Sequence, residues 1–256
     1  MKKIFNIILI NLLFISCLDL IIEEEYYESI ILKGSGWFEL YQDNQTNSMN
    51  LNEDFTFQIW FSGYDNIITE APCILNLSGA SDNLTLYKNP SIENNLMIYF
   101  NNIFQEAEID GLNLNNQTEF HLLSVIQDSA SVKIYIDDVL IFNQDTTIRI
   151  DNITVGGVLN PNNQVSHLWF GHIDEMRLWN TALTSEVITL HNEYPYKVSS
   201  SYEDEYLDNL MGLWEFKINT TGETPSNIWQ DINNHDFYTI LYTLESMSNE
   251  FSIIGR

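Results

Sequence analysis

The sequence predicts an all-β fold: two antiparallel sheets packed face to face, with one short helix. Three observations predict it. Short segments rich in Ile, Leu, Val, Phe and Tyr recur about every ten residues between Asn-, Asp-, Ser- and Gly-rich turns, the spacing of strands in a sandwich. No long run repeats at the helical period. Residues 55–61 alternate cleanly, with Phe55, Phe57, Ile59 and Phe61 on one face and Thr56, Gln58 and Trp60 on the other.

The first sixteen residues stand apart from that fold. Lys2 and Lys3 precede an apolar run from Ile4 to Ile15, broken by Asn6 and Asn11 and closed by Phe14-Ile15-Ser16-Cys17. A short apolar core behind a positive start is the pattern of a secretory signal. Ser16-Cys17 resembles a bacterial lipobox, although Phe14 stands where leucine is usual. The resemblance implies cleavage before Cys17 and a lipid on that cysteine. The alternative is an uncleaved anchor from Ile4 to Ile22, which would hold Asp19 inside it and barely reach the ~20 residues a spanning helix needs. Residues 17–28, with Glu23-Glu24-Glu25, read as an acidic tether, and residues 29–256 as one domain.

Within the domain, residues 29–32 and 37–41 read as strands around the glycine turn Lys33-Gly34-Ser35-Gly36. Residues 42–52 are a polar loop. After residues 55–61 come strands at 74–77, 84–87, 96–100 and 120–126. Residues 132–136 turn at Asp137-Asp138 into residues 139–142, a hairpin whose positive-φ preference favours glycine where Asp138 stands. Residues 148–155 follow. Residues 174–178 alternate again. If Met176 and Leu178 face the core, period two puts Asp174 on the same face. A carboxylate there needs a metal, a cation or several N–H donors. Ile173 breaks the alternation, so a bulge or bend is expected near Gly171. Residues 185–191 form the one helix, with Thr184 placed to cap it and Leu183 and Ile188 at the two positions of a hydrophobic staple. Residues 196–208 are a polar, acidic insertion, and residues 210–216 resume as a strand.

Charge excludes some partners. The 256 residues hold 36 acidic and 10 basic side chains, a formal charge of −26. Loss of residues 1–16 removes two lysines and no acid, which leaves 8 basic residues and a charge of −28. Neither nucleic acid nor an anionic lipid surface attracts such a body, and the membrane is reached only through the N-terminal anchor. After Cys17 only Cys73 remains, so no intrachain disulfide forms within the mature chain, and Cys73 is expected to be buried.

Four segments, in this order, resemble the laminin-G-like type of the concanavalin A-like jelly roll. They are Phe55-Thr56-Phe57-Gln58-Ile59-Trp60, the hairpin from Val132 to Leu140, Gly171-His172-Ile173-Asp174-Glu175-Met176-Arg177-Leu178-Trp179-Asn180 with Ala182-Leu183-Thr184, and Leu210-Met211-Gly212-Leu213-Trp214-Glu215-Phe216. The resemblance covers about residues 29–242 and implies a concanavalin A-like jelly roll. Residues 210–216 are then expected to complete the sandwich beside the first strand, with residues 228–231 and 238–242 closing that edge.

Catalysis is one implication of that fold, since some of its members are retaining glycosidases. Those need two carboxylates roughly 5 Å apart in one cleft. Asp174 and Glu175 are adjacent, so a regular strand sends them to opposite faces, and His172 and Arg177 occupy the positions of the flanking glutamates. Glu175 and Arg177 are expected to form a surface pair. The five histidines make no spaced zinc cluster, and no nucleophile elbow or phosphate-cradling loop occurs. Calcium is the ion the family implies, with Asp174 as the candidate ligand. Two readings of Asp174 stand: a calcium ligand, or a structural carboxylate neutralised by Lys33. The family also implies sugar binding on aromatic platforms. Trp60, Trp169 and Trp229 are the candidates, and burial under a crossing loop is the alternative for each.

These readings make the chain a non-catalytic binding or adhesion lipoprotein of the bacterial cell envelope, recognising glycan or extracellular protein. A glycoside hydrolase of the same fold and a structural envelope protein are the alternatives.

Overall fold

A computed structural model of the chain describes residues 28–34, 36–42, 51–64, 70–160, 162, 164–195, 207–214, 216, 228–230, 237–243 and 252–255. Residues 1–16, Cys17 and most of the tether lie outside the described residues, as does most of the 196–208 insertion. No helix among the described residues is long and apolar enough to cross a membrane.

In chain order the strands are β1 (Glu28–Lys33), β2 (Gly36–Gln42), β3 (Phe55–Gly63), β4 (Cys73–Ser78), β5 (Asn83–Lys88), β6 (Asn95–Phe100), β7 (Ile103–Glu108), β8 (His121–Gln127) and β9 (Val132–Ile136). There follow β10 (Val139–Gln144), β11 (Asn152–Val155), β12 (Val158–Leu159), β13 (Val165–Ser166), β14 (Phe170–Trp179), helix α1 (Ser185–Glu193), β15 (Leu210–Trp214), β16 (Ile228–Gln230), β17 (Phe237–Thr243) and β18 (Ser252–Gly255). Sheet 1 runs β10-β9-β8-β3-β14-β1-β18, with β15 also paired to β14. Sheet 2 runs β16-β17-β2-β11-β4-β5-β6-β7, and β12 pairs β13 as a small separate hairpin. The sheets face each other, and the expected all-β sandwich is what the chain forms.

The main core lies between the sheets. From sheet 1 it takes Phe55, Phe57, Ile59 and Phe61 of β3, the face that alternation assigns to it, together with Ile173, Met176 and Leu178 of β14. From sheet 2 it takes Phe38, Leu75, Leu86 and Ile98. A second, smaller core sits on the other side of sheet 1. There Ile126, Trp179, Leu183, Val187, Ile188, Leu210 and Leu213 pack together, so α1 lies against the outer face of that sheet. Leu183 and Ile188 both belong to this core, consistent with a staple. Thr184 holds the N-cap position, but its side chain makes no capping hydrogen bond. Its carbonyl instead accepts from Val187 N–H and Ile188 N–H at 3.1 Å each.

The chain's C-terminal part closes edges in both sheets: β18 pairs with β1 in sheet 1, whereas residues 228–230 and 237–243, expected to close the edge beside the first strand, lie in sheet 2. Residues Met176–Trp179 of β14 pair with β15 beyond the point where its earlier residues pair with β1. β17 runs along all of β2, and β16 follows it. Residues 148–155 keep only β11 as a strand, with Ile150 bridged to Leu51. β7 was not expected. As the last strand of sheet 2 it buries only Ala107, so it lacks the apolar face that marks a strand in sequence. In the hairpin between β9 and β10 it is Asp137, at φ +56°, that takes the left-handed conformation. Asp137 Oδ1 accepts Leu122 N–H at 2.9 Å, and Asp137 N–H donates to Leu122 O at 2.7 Å. Aspartate tolerates that backbone, and these bonds hold it there.

Candidate functional site

β14 carries the bulge that Ile173 signalled. Ile173 pairs with Phe61 and Met176 with Ile59, which leaves Asp174 and Glu175 together opposite the single residue Trp60. Ile173 and Met176 both face the main core, so both carboxylates turn to the outer face of sheet 1. That corrects two expectations: Asp174 does not face the core, and the two carboxylates do not point to opposite sides. Glu175 is closed into an ion pair with Arg177, whose Nη2 also donates to Pro195 O just beyond α1. Arg177 is fully buried, so this is an interior pair and not the surface pair expected.

Asp174 is 7% exposed and has a partner. Lys33 is not close enough to provide it. It pairs with Phe170, four residues and about 13 Å along β14 from Asp174. Calcium asks for six to eight oxygens. Among the described residues no three His, Cys, Asp or Glu side chains gather to hold a metal. The carboxylate next to Asp174 is already engaged by Arg177.

The tryptophans divide. Trp169 is fully buried in the main core, edge-on to Phe61 at 5.9 Å, and offers no face to a ligand. Its place among the sugar platforms is corrected for that reason. Trp60 lies on the outer face of sheet 1 but is 6% exposed, so it is not an open platform either. The backbone of Trp229 lies in β16, at the margin of sheet 2. Its side chain falls outside the described residues.

The outer face of sheet 2 assembles aromatic and polar groups that the sequence reading passed over. Glu39, Thr154, Asn76, Thr85, Tyr99 and Phe104 stand opposite one another in register across six adjacent strands. At roughly 4.8 Å between strands the row is about 24 Å long. Its middle is polar and covered: Thr154, Asn76 and Thr85 are buried, and Thr85 Oγ1 donates to Asn76 Oδ1 at 2.9 Å. Its ends are aromatic. At one end Trp37 Nε1 and Tyr41 Oη donate to the two oxygens of Glu39, at 2.9 and 2.6 Å. At the other, Tyr99 and Phe104 are 42% and 50% exposed, with ring centroids 4.8 Å apart. Tyr87 meets Tyr99 edge-on at 5.6 Å and His167 at 5.1 Å. Burial, with smaller effects from Cys73 and Tyr99, pushes the Tyr87 phenol up to about 12 against a bond from Thr85. It therefore stays a neutral donor. The signal for this face was the outward half of each alternation: Trp37, Glu39 and Tyr41 on β2, Tyr87 on β5, and Tyr99 on β6.

A two-sheet antiparallel sandwich with a helix on one outer face and an aromatic row on the other defines a jelly roll of lectin type. The chain belongs to the concanavalin A-like lectin/glucanases superfamily, whose Laminin_G_3 family model matches residues 33–189. Among solved structures the fold recurs in a Bacteroides ovatus ATCC 8483 protein provisionally assigned as carbohydrate binding, at 11% identity and a TM-score of 0.60. That match covers 90% of this chain and 60% of the other, so this chain spans less than two thirds of that protein. The native heptameric SAP-like pentraxin from Limulus polyphemus is similar at 11% identity and a TM-score of 0.47, over 65% of this chain and 82% of that one. Domains LG4-5 of the mouse laminin alpha1 chain are similar at 17% identity and a TM-score of 0.43, over 60% and 41%. No curated protein sequence matches the chain.

Proposed function

We propose that the chain is a non-catalytic binding module that holds glycan along the outer face of sheet 2. The observation that carries this reading is the row from Glu39 to Phe104. It joins the exposed rings of Tyr99 and Phe104 at one end to a half-buried Trp–Glu–Tyr cluster at the other, across buried polar side chains. Rings that are flat and apolar, with hydrogen-bonding groups between them, suit the two-sided chemistry of a sugar. The carbohydrate binding assigned to the Bacteroides ovatus protein agrees with this. Non-catalysis is supported by Glu175, which Arg177 already engages.

The tether and anchor complete the reading. Residues 1–16 are the signal, Cys17 carries the lipid, residues 17–28 are the tether, and residues 29–256 are displayed at the cell envelope. Cys17→Ser should release the protein from membranes or leave it unprocessed, and a processed, membrane-bound Cys17→Ser chain refutes the anchor.

The binding test is retention on a panel of polysaccharides, with reducing ends measured in parallel. Retention without cleavage is expected. The double change Tyr99→Ala with Phe104→Ala should weaken retention at least about tenfold, some 1.4 kcal/mol, with an unchanged melting curve. Retention on no polysaccharide overturns the glycan reading. Release of reducing ends that Asp174→Asn abolishes overturns the non-catalytic one.

A further inference from the structure

The exposed rings of sheet 2 stand among carboxylates. Along β7, period two puts Glu106 and Glu108 on the same outer face as Phe104. Both glutamates are exposed. Glu106 follows Phe104 by two residues, roughly 7 Å along the strand. It stands opposite Met97, whose partner on the other side is Tyr87. At the far end of the row Glu39 adds a third carboxylate, to which Trp37 and Tyr41 donate.

No lysine or arginine among the described residues shares this face. Lys33 is on β1 and Lys133 on β9, where it pairs with Asp128, and both strands belong to sheet 1. Arg177 is buried in sheet 1 beside Glu175. Lys88 is on β5, but it stands opposite Leu96 of the core and so turns inward. It is buried there, and its Nζ donates to Tyr64 O at 2.9 Å. Arg149 precedes β11, with its Nε 3.8 Å from Asp151 Oδ1, and its backbone N–H donates to Asp82.

That distribution sets the class of glycan. A sugar meets rings through its C–H face and polar groups through its hydroxyls, and neither contact needs charge. A carboxylate or sulfate on a sugar over Phe104 would lie within a Debye length of Glu106 and Glu108 at low salt. Like charges brought together in this way discriminate against a ligand. Resting on the reading of sheet 2 as a glycan face, we propose that this face takes uncharged glycan and rejects glycan bearing carboxylate or sulfate. Glu106 and Glu108 enforce the choice.

Retention of the full chain on matched polysaccharides tests this. The pairs are dextran with dextran sulfate, hydroxyethyl with carboxymethyl cellulose, and homogalacturonan with and without its methyl esters. At about 20 mM salt at least one uncharged member should be retained, and its acidic counterpart at least about tenfold more weakly. Salt at about 0.5 M should narrow that gap. Glu106→Gln with Glu108→Gln should raise the ratio of acidic to uncharged retention at least about threefold at low salt. Glu119→Gln with Glu186→Gln removes the same charge from exposed positions before β8 and in α1, on the sheet 1 side, and should leave that ratio as in the parent. Equal or stronger retention of the acidic members at low salt overturns the inference and leaves the glycan reading standing. So does a sheet 2 variant that gains no more than the sheet 1 variant. Retention on no member of any pair overturns the glycan reading, and this inference with it.

Discussion

Removing the Glu175 carboxylate should cost this protein more stability than most single changes outside its main core. Arg177 is fully buried, Glu175 pairs with its Nε, Pro195 O accepts from Nη2, and Nη1 has no partner. Glu175→Gln leaves the guanidinium inside with its countercharge gone. Breaking a buried pair this way costs about 3–5 kcal/mol. In a domain of this size 1 kcal/mol moves the midpoint by about 2–4 °C, so a fall of about 6–20 °C is expected. Replacing both partners with apolar residues of similar volume, Glu175→Leu with Arg177→Met, removes both desolvation penalties and should recover most of the loss. Thermal melts by circular dichroism, with urea titrations for the free energy, give both numbers. A Glu175→Gln chain that melts within about 2 °C of the parent refutes the reasoning. So does a double variant no more stable than the single one.

Other expectations rest on single contacts. A Cβ at Gly171 would meet the Ser62 carbonyl, Trp169 Nε1 at 2.6 Å and Gly63 Cα at 2.9 Å, so Gly171→Ala should separate β14 from β3 and cost about 1–3 kcal/mol in a urea titration. Cys73 is fully buried, and burial pushes its thiol well above the ordinary range against a backbone bond from Leu75. A Cys17→Ser chain should therefore show no reactive thiol while native and one when unfolded, and a native chain that reacts at once refutes this. The Lys133 ammonium holds the Asp128 carboxyl down to about 2 from its ordinary 3.8, with burial opposing and the Ala130 and Ser131 groups helping. That stability is present above pH 3.8 and lost as pH falls toward about 2. The pair is partly exposed, so Asp128→Asn should flatten the acid limb of a melting curve by no more than about 1 kcal/mol. Deleting residues 207–256 bares the edge of β2 and strips buried Trp214 and Phe216 from the core. The shortened chain should aggregate, and a soluble, cooperatively melting one refutes that.

Alternation made the fold legible where one side of a strand is apolar and the other is not. β3 shows it best: its inward residues are those that period two selects. β7 has no such contrast because it ends its sheet and buries one residue. The order of strands in the sheets follows from pairings between residues far apart in the chain, such as Phe38 with Leu241, which local pattern does not report. Ile173 did disclose the bulge, but not its outcome, because the direction of Asp174 depends on where the extra residue falls. Burial of Trp60 and Trp169 is the alternative that the sequence left beside an open platform, and local pattern does not choose between the two. Whether an outward or rim-lying ring is covered depends on what crosses it, and the chain around Pro195 and Phe120 that walls Trp60 is distant from it in sequence.

One extra residue in β14 helps decide how the two faces of the sandwich differ. The bulge turns Asp174 outward beside Glu175, which shares its face with Arg177 two residues on, and Arg177 reaches the Pro195 carbonyl past the end of α1. The helix is thereby pinned across sheet 1 at its C-terminal end, while Leu183 N–H bonded to Thr56 Oγ1 at 2.9 Å pins the approach to its N-terminal end. Between them His191 stacks on Trp179 and bonds Gln58 Oε1 at 3.0 Å. A regular strand running back from Met176 would keep the Glu175–Arg177 pair on the outer face but turn Asp174 into the core. Among the described residues, α1 and the chain on either side of it therefore cover part of the outer face of sheet 1. The described part of sheet 2 carries no helix on its outer face, and Tyr99 and Phe104 stand exposed there.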